Sequence, residues 1–387
     1  MRKIGVVTVA RSDYGLQLPV IKAIQADPEL ELALIVAGMH LAPEFGFTRR
    51  DIEGDGFEIA YEVEMTVSSD SPKGLSISMG LGTIGFASAY EIVKPDMLVV
   101  LGDRFEMHAA TSAAIPFGIP VAHIHGGEST EGAIDEQFRH SMTKMSHLHF
   151  ATTELYAQRI RQMGEQPDRV FHVGSPGIDN IKSMELYTEK EFQRTYSVEL
   201  KHPVLLVTFH PVTLEHEQTP FHVEQLLKAL DGVEAQVIFT YPNADTMGRY
   251  IIRSIEEFRE DRIDRVSVQP NLGQKGYLSL LGLADAMVGN SSSGLIEAPS
   301  FNLPVVNIGN RQKGRVRGSN VLDVGHGADE IISGINQALE SKFRQDLTGS
   351  TNPYGDGHAA QRIVQVLRSV QVDGLKIKTF QDMEPNA

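Results

Sequence analysis

The hydrophobic positions of this chain fall in short continuous runs separated by stretches of helical periodicity. Ile4–Val9, Leu32–Val36, Met97–Leu101, Val121–Ile124, Leu148–Ala151 and Arg169–Val173 mark the first half. Val204–Phe209, Gln236–Thr240, Val266–Val268, Ala286–Val288 and Val305–Ile308 mark the second. Runs of Val, Ile and Leu without alternation suit strands buried on both faces of a parallel sheet. Between them, Leu18–Ala26, Gly82–Val93, Ala133–Met145, Glu154–Met163 and Gln225–Leu230 carry helical spacing. Strand alternating with helix predicts an α/β fold, doubly wound.

The pattern divides at Gly174-Ser175-Pro176-Gly177, which is followed by a charged helical segment around Ser183–Tyr196. Two Rossmann-like domains facing a cleft are expected, the first over residues 1–174 and the second from 175. The polar stretch Lys376–Ala387 is expected to be loosely ordered. Ligands of open parallel sheets bind beyond the carboxyl ends of the strands, so chemistry should stand just after each apolar run.

A length of 387 residues agrees with two to three domains. The absence of cysteine excludes a disulfide scaffold, a thiolate metal site and a thiol nucleophile. A net charge of −15 argues against broad binding to nucleic acid or anionic membrane. It also argues against an anionic ligand, although net charge does not describe one cleft. No run approaches the roughly 20 apolar residues of a membrane span. The opening Met1-Arg2-Lys3 leads into a run too short for a signal peptide and reads as a first strand, so a cytoplasmic location is expected.

Several motifs stand at the expected strand ends. Arg11, in Ala10-Arg11-Ser12-Asp13-Tyr14-Gly15, suits either a forked contact to phosphate or carboxylate or an exposed position beside a helix cap. Gly102-Asp103-Arg104-Phe105-Glu106 reads as a structural ion pair or as active-site loop chemistry. In His123-Ile124-His125-Gly126-Gly127-Glu128 the two histidines, two apart on a strand, would face one way. They suit a metal pair, or a glycine turn that presents Glu128 to a cleft. Glu128 and Asp135 offer paired carboxylates for proton transfer, and Asp135 lies four residues before Arg139 on a helix. An ordinary charged helix face is the plainer alternative.

In the second half His210 follows a strongly apolar run, as an acid–base group or as a satisfied structural histidine. Gly289-Asn290-Ser291-Ser292-Ser293-Gly294 follows a strand and opens a helix, where small residues and hydroxyls suit a phosphate. It is neither a Walker sequence nor a dinucleotide fingerprint. Glu297, one turn on, would accept from ribose hydroxyls, and a plain serine cap is the other reading. The cations Arg311, Lys313, Arg315 and Arg317 lack interleaved aromatics and suit a diphosphate better than nucleic acid.

Taken together, Arg-Ser-Asp-Tyr-Gly, Gly-Asp-Arg, His-Ile-His-Gly-Gly-Glu, Ile-Asp-Glu with Arg139-His140, His-Pro-Val-Thr, Gly-Asn-Ser-Ser-Ser-Gly and Gly-Asn-Arg-Gln-Lys-Gly-Arg resemble the UDP-N-acetylglucosamine 2-epimerases. The chain is most similar to the hydrolysing, NeuC-type branch of sialic acid biosynthesis, from Ile4 to about Val366. The resemblance implies a glycosyltransferase-B-like fold, with a UDP-binding domain over 175–357. A helix near His358–Val370 would pack on the first domain, leaving 371–387 as a tail.

The implied reaction takes UDP-N-acetylglucosamine and water to N-acetylmannosamine and UDP, through 2-acetamidoglucal. UDP would be held by Arg11, His210, Asn243, Ser291, Ser292, Glu297 and Arg311. The sugar side would have His40, Asp103, Arg104, Glu128, Asp135 and Arg139. Asp103, Glu128 and Asp135 are the acid–base candidates, with His210 assisting the departing phosphate. No cofactor and no metal are implied, and a homodimer or homotetramer is expected. The wider family often has Glu where this chain has His125, so no Glu-based role can be placed there; the hydrolysing branch shares the histidine. Rival readings are a UDP-2,4-diacetamido-2,4,6-trideoxyglucose 2-epimerase, a non-hydrolysing epimerase, a glycosyltransferase of the same fold and a zinc hydrolase.

Overall fold

The computed structural model describes residues 1–43, 46–69, 71–129, 134–212, 217–242, 247–270 and 272–382. The chain separates into two compact units. One comprises Met1–Ser129, Ala133–Asn180 and Tyr354–Ala387; the other comprises Ile181–Pro353.

The first unit holds strands β1 (Arg2–Thr8), β2 (Leu30–Ala37), β3 (Ile59–Val63), β4 (Met97–Leu101), β5 (Val121–Ile124), β6 (Leu148–Ala151) and β7 (Val170–His172). They form one parallel sheet in the order β3-β2-β1-β4-β5-β6-β7. Successive side chains of β1 alternate between its faces. Ile4 and Val6 enter one core with Val20, Ile21 and Ile24 of the helix Arg11–Ala26. Val7 and Val9 enter another with Phe86, Ala89 and Tyr90 of the helix Pro72–Val93. Both faces of the sheet are therefore buried, and its inner strands read as mainly apolar runs, with buried His123 in β5 and His149 in β6.

The second unit repeats the plan with β8 (Val204–Thr208), β9 (Gln236–Thr240), β10 (Val266–Val268), β11 (Ala286–Gly289), β12 (Val305–Ile308) and β13 (Val321–Val324). Their order is β10-β9-β8-β11-β12-β13, again parallel. Cores lie on both faces here too.

Two strands escape the apolar-run criterion, β3 and β13. Both are edge strands and only partly buried, so Ile59-Ala60-Tyr61-Glu62-Val63 and Val321-Leu322-Asp323-Val324 carry acids that an inner strand would exclude. Helix starts follow local chemistry. Ser71 accepts from the Gly74 N–H with Pro72 in the first turn, and Thr188 forms a capping box with Glu191.

The C-terminal helix Ala359–Ser369 belongs to the first unit, where Ala360, Ile363, Val364 and Leu367 join the core containing Ile4 and Val6. Buried Asp179 accepts from the Ala359 and Ala360 N–H groups at 3.0 and 2.7 Å. The expectation of a loose tail needs correcting as far as Gln381. Lys378 bonds to the Ser146 carbonyl and the Glu165 carboxylate, and the Gln381 N–H donates to Gly164 at 2.9 Å. Three cationic or imidazole partners (Lys144, His149 and Lys378) surround Glu165 and hold its carboxyl down at about 2 despite burial.

Candidate active site

In each sheet the strand order reverses once, between β1 and β4 in the first and between β8 and β11 in the second. Those reversals open a crevice beyond the carboxyl ends of the strands. The motifs legible in the sequence stand at these two places.

At the first reversal, Gly102 leaves β4 with a positive φ of 77° and turns the chain into Asp103 and Arg104. The Arg104 guanidinium lies 3.3 Å from Asp13, a residue on the first turn of the helix after β1. The Asp13 carboxyl is pushed up to about 6, because burial outweighs the attraction of Arg104. Glu106, buried on the first turn of the helix Phe105–Ala114, is pushed up to about 7 for the same reason. Asp135 opens the helix Asp135–Met145 and is raised by burial and by the charge of Asp103. Arg139, one turn further, is buried; its guanidinium pairs with Asp103 and donates to the His125 carbonyl at 2.9 Å. The cluster thus joins carboxylates from three strand ends to two arginines.

Glu128 sits behind this layer. It accepts from Thr152 at 2.9 Å and lies 3.4 Å from His125 Nδ1 and 3.9 Å from Arg139. The glycine turn places it there. Gly127 has φ 74°, and a Cβ at that position would meet the Tyr156 carbonyl at 2.5 Å, so no other residue fits.

The two histidines do not share a face, contrary to the two-residue spacing. Strand β5 ends at Ile124, and His125 follows with φ 66°. His123 Nε2 donates to the Gly102 carbonyl at 2.7 Å; burial holds its ring at about 3, so it is a neutral strut under the Asp103 turn. His125 Nε2 instead lies 3.2 Å from Ser175 Oγ. Among the described residues, no group of three His, Asp or Glu is arranged to hold a metal ion. His40 is fully buried between Thr8 and Thr48, at 3.1 and 2.7 Å, and burial lowers it to about 4.

At the second reversal, Gly289 ends β11 with φ 137°, and a Cβ there would lie 2.0 Å from the Thr208 carbonyl of β8. Close strand approach lets the Asn290 side chain bracket His210, accepting from its N–H at 2.7 Å and donating to its carbonyl at 2.8 Å. Burial, followed by repulsion from Arg311, lowers His210 to about 3, so its ring is neutral. Arg311 and Gln312 both donate to the Asn290 carbonyl, at 3.1 and 2.9 Å. Ser291 and Ser292 precede a helix of one turn, Ser293–Ile296, whose short dipole contributes less than the local N–H and hydroxyl groups. Glu297 is pushed up to about 7 by burial.

Arg11, at the start of the helix after β1, is exposed. Asn243 and Thr213 lie outside the described residues. Of the four cations at 311–317, Arg317 pairs at 2.7 Å with Asp323 on the edge strand, so the group is not a single patch. Sequence reasoning gave no site role to Asp13 and Glu106, although both lie inside motifs it singled out, and passed over Tyr277. The Tyr277 hydroxyl is raised by burial to about 12. No local signal separates Tyr277 from an ordinary helix residue, whereas the acids five residues beyond the ends of β1 and β4 were a usable clue.

Residues 22–368 match the family model described as UDP-N-acetylglucosamine 2-epimerase. The chain belongs to this family. Within it, the chain is a hydrolysing nucleotide-sugar 2-epimerase by its similarity to named relatives. It is 40% identical to the GDP/UDP-N,N'-diacetylbacillosamine 2-epimerase (hydrolyzing) of Campylobacter jejuni, over 99% of both chains. It is 37% identical to the UDP-N,N'-diacetylbacillosamine 2-epimerase (hydrolyzing) of Legionella pneumophila, over 96% of both. Identity to the polysialic acid biosynthesis protein P7 of Escherichia coli is 36%, over 99% of this chain and 98% of that one. The crystal structure of UDP-GlcNAc 2-epimerase from Neisseria meningitidis bound to UDP-GlcNAc superposes with a TM-score of 0.75 at 20% identity, covering 94% of this chain and 99% of that one. This likeness carries the fold expectation of two parallel α/β sheets of the glycosyltransferase-B type. No helix among the described residues is long and apolar enough to cross a membrane.

Proposed function

We propose that the chain hydrolyses and epimerises UDP-N,N'-diacetylbacillosamine, releasing UDP and the C2-inverted 2,4-diacetamido-2,4,6-trideoxy sugar. The observation that carries the reaction type is the acid cluster at the first reversal, where Asp103 pairs with Arg139 and Asp135 is raised beside it. A carboxylate paired with an arginine beside a carboxyl raised by burial offers one base and one acid. Asp103 takes the C2 proton as the C1–O bond breaks and the electron pair leaves with UDP, giving the 2-acetamidoglycal. Asp135 then protonates C2 from the opposite face as water adds its hydroxyl at C1; the water's other proton returns to Asp135, and Asp103 releases the original C2 proton to solvent. Glu128, more deeply buried and bonded to Thr152, supports Arg139 and His125. Arg104 lines the sugar side, and His40, fully buried between Thr8 and Thr48, supports it from behind.

On the nucleotide side, Ser291, Ser292, Arg311 and Arg11 hold the diphosphate, Asn243 assists, and Glu297 holds the ribose. His210, kept neutral, donates to the departing phosphate rather than pairing with it. The order of similarity among the relatives favours the diacetamido sugar over N-acetylglucosamine. UDP-N-acetylglucosamine is the second reading, supported by the motif set and by the likeness to the P7 protein.

Incubation with each nucleotide sugar in deuterium oxide, followed by NMR, tests both. Free UDP and a C2-deuterated, C2-inverted sugar are expected from the diacetamido substrate at the higher kcat/KM. A higher kcat/KM for UDP-N-acetylglucosamine overturns the substrate, and product that retains UDP overturns the hydrolytic reaction.

A further inference from the structure

The backbone of His125 is left-handed, with φ 66°, a conformation that glycine adopts freely and other residues reach at a cost. Its main chain is held at both ends. The N–H donates to the Phe150 carbonyl of β6 at 3.0 Å, and the carbonyl accepts from Arg139 at 2.9 Å. The turn carries the imidazole away from the strut position of His123 and sets it between Ser175 and Glu128. Nε2 lies 3.2 Å from Ser175 Oγ, and Nδ1 lies 3.4 Å from Glu128 Oε1. All three side chains are buried. A strained residue in such a place points to a role for its side chain.

The charges around it define that role. Buried Arg139 stands between two carboxylates: Asp103, with which it pairs, and Glu128, whose Oε2 lies 3.9 Å away. One guanidinium does not serve both at full strength, and burial sharpens the competition. The other oxygen of Glu128, Oε1, accepts from Thr152 at 2.9 Å and faces His125 Nδ1. A Ser175 hydroxyl hydrogen given to Nε2 leaves the ring hydrogen on Nδ1, directed at Glu128. Two donors on Oε1 then draw this carboxylate away from Arg139. Glu128 supports Arg139 only as long as it does not displace Asp103. Asp103 faces Arg139 and Asp135 on one helix, and Arg104 and Asp13 from the other loops. His125 faces Glu128, Arg139 and His123. Arg139 is common to both sets.

We infer that His125 is a positioning residue for this reaction: its ring holds Glu128 off Arg139, so that Arg139 stays on Asp103. The inference rests on Asp103 as the base proposed above. The pH profile of kcat, with the nucleotide sugar of higher kcat/KM, tests it. His125→Leu offers no donor, so Glu128 draws Arg139 from Asp103. The acid limb then moves to higher pH by about one unit, because a carboxyl that loses an arginine holds its proton more tightly. Turnover below that limb falls about 10-fold, while UDP affinity by calorimetry is retained. His125→Asn, whose amide donates in place of Nδ1 and which tolerates a left-handed backbone, keeps the limb within about 0.3 units. Adding Glu128→Gln to His125→Leu removes the competing charge and brings the limb back, a rescue that lost packing would not give. Should His125→Leu fail to fold, His125→Gly, which suits the backbone, takes its place with the same expected shift. An unmoved limb in the folded Leu or Gly variant overturns the inference. So does an Asn variant shifted as far, or a Glu128→Gln addition that restores nothing. Asp103→Asn that still exchanges the C2 proton for deuterium removes the base and this inference with it. With that exchange abolished, a failure at His125 leaves the base in place and overturns the positioning role alone.

Discussion

The two strand-order reversals have the same topology and opposite chemistry. The first gathers Asp13, Asp103, Glu106 and Asp135 around Arg104 and Arg139. The second gathers hydroxyls, an amide and a neutral imidazole around Arg311. The sheets do not set this difference; the few residues beyond each strand end do. One lesson concerns charge. Burial pushes Asp13 up to about 6, and Glu106 and Glu297 to about 7, so these acids carry less negative charge near neutrality than a count of residues suggests. The surplus of −15 is a sum over the whole chain, whereas the second reversal presents Arg311 beside a neutral His210, which is compatible with an anionic leaving group there.

The contrast breaks most sharply at Asp103. Asp103→Asn should lower kcat by about 1,000-fold, with UDP affinity changed less than about two-fold, by steady-state kinetics and calorimetry. A comparable loss of UDP affinity would move Asp103 to the nucleotide side. Next comes the backbone of the second site. Gly289→Ala, forced against the Thr208 carbonyl, should destabilise by about 3 kcal/mol or more, read from the denaturant midpoint of the second unit's unfolding. Arg311→Ala should weaken UDP binding by about 10- to 100-fold with little effect on C2 deuterium exchange at saturating substrate. Unchanged affinity would remove Arg311 from the diphosphate.

The smallest expected effect is a pH dependence at Glu106. Its carboxyl holds a proton up to about 7 in the folded chain, against an ordinary value of 4.5. The folded state therefore binds more protons than the unfolded state between those values, and this group's contribution to stability falls as pH rises through them. Glu106→Gln removes that loss, so the variant should gain on the unaltered protein between pH 4.5 and 7. Denaturant unfolding at pH 5 and 7.5 measures it, and a constant difference would refute the raised value.

Much of this was legible along the chain, and the omissions have physical causes. Inner strands announced themselves because burial on both faces favours apolar residues, as in Met97–Leu101 and most of Val204–Thr208. The edge strands β3 and β13 did not, because one side of each meets solvent and tolerates Glu62 or Asp323. The tail read as loose because Lys378 and Gln381 are polar, yet their partners, Ser146, Gly164 and Glu165, stand more than 200 residues earlier.

By itself the sequence determined the α/β class, the loops that carry chemistry and the residue types available to them. These follow from local periodicity and from the rule that polar groups gather at strand ends. Only the tertiary structure decided which of those residues meet. The chain crosses from β1 to β4 through more than 80 intervening residues, so the Asp13–Arg104 pair exists only once the sheet has closed. Burial likewise belongs to the folded molecule. It turned His123 into a neutral strut and raised Glu106, because desolvation depends on neighbours that no local segment contains.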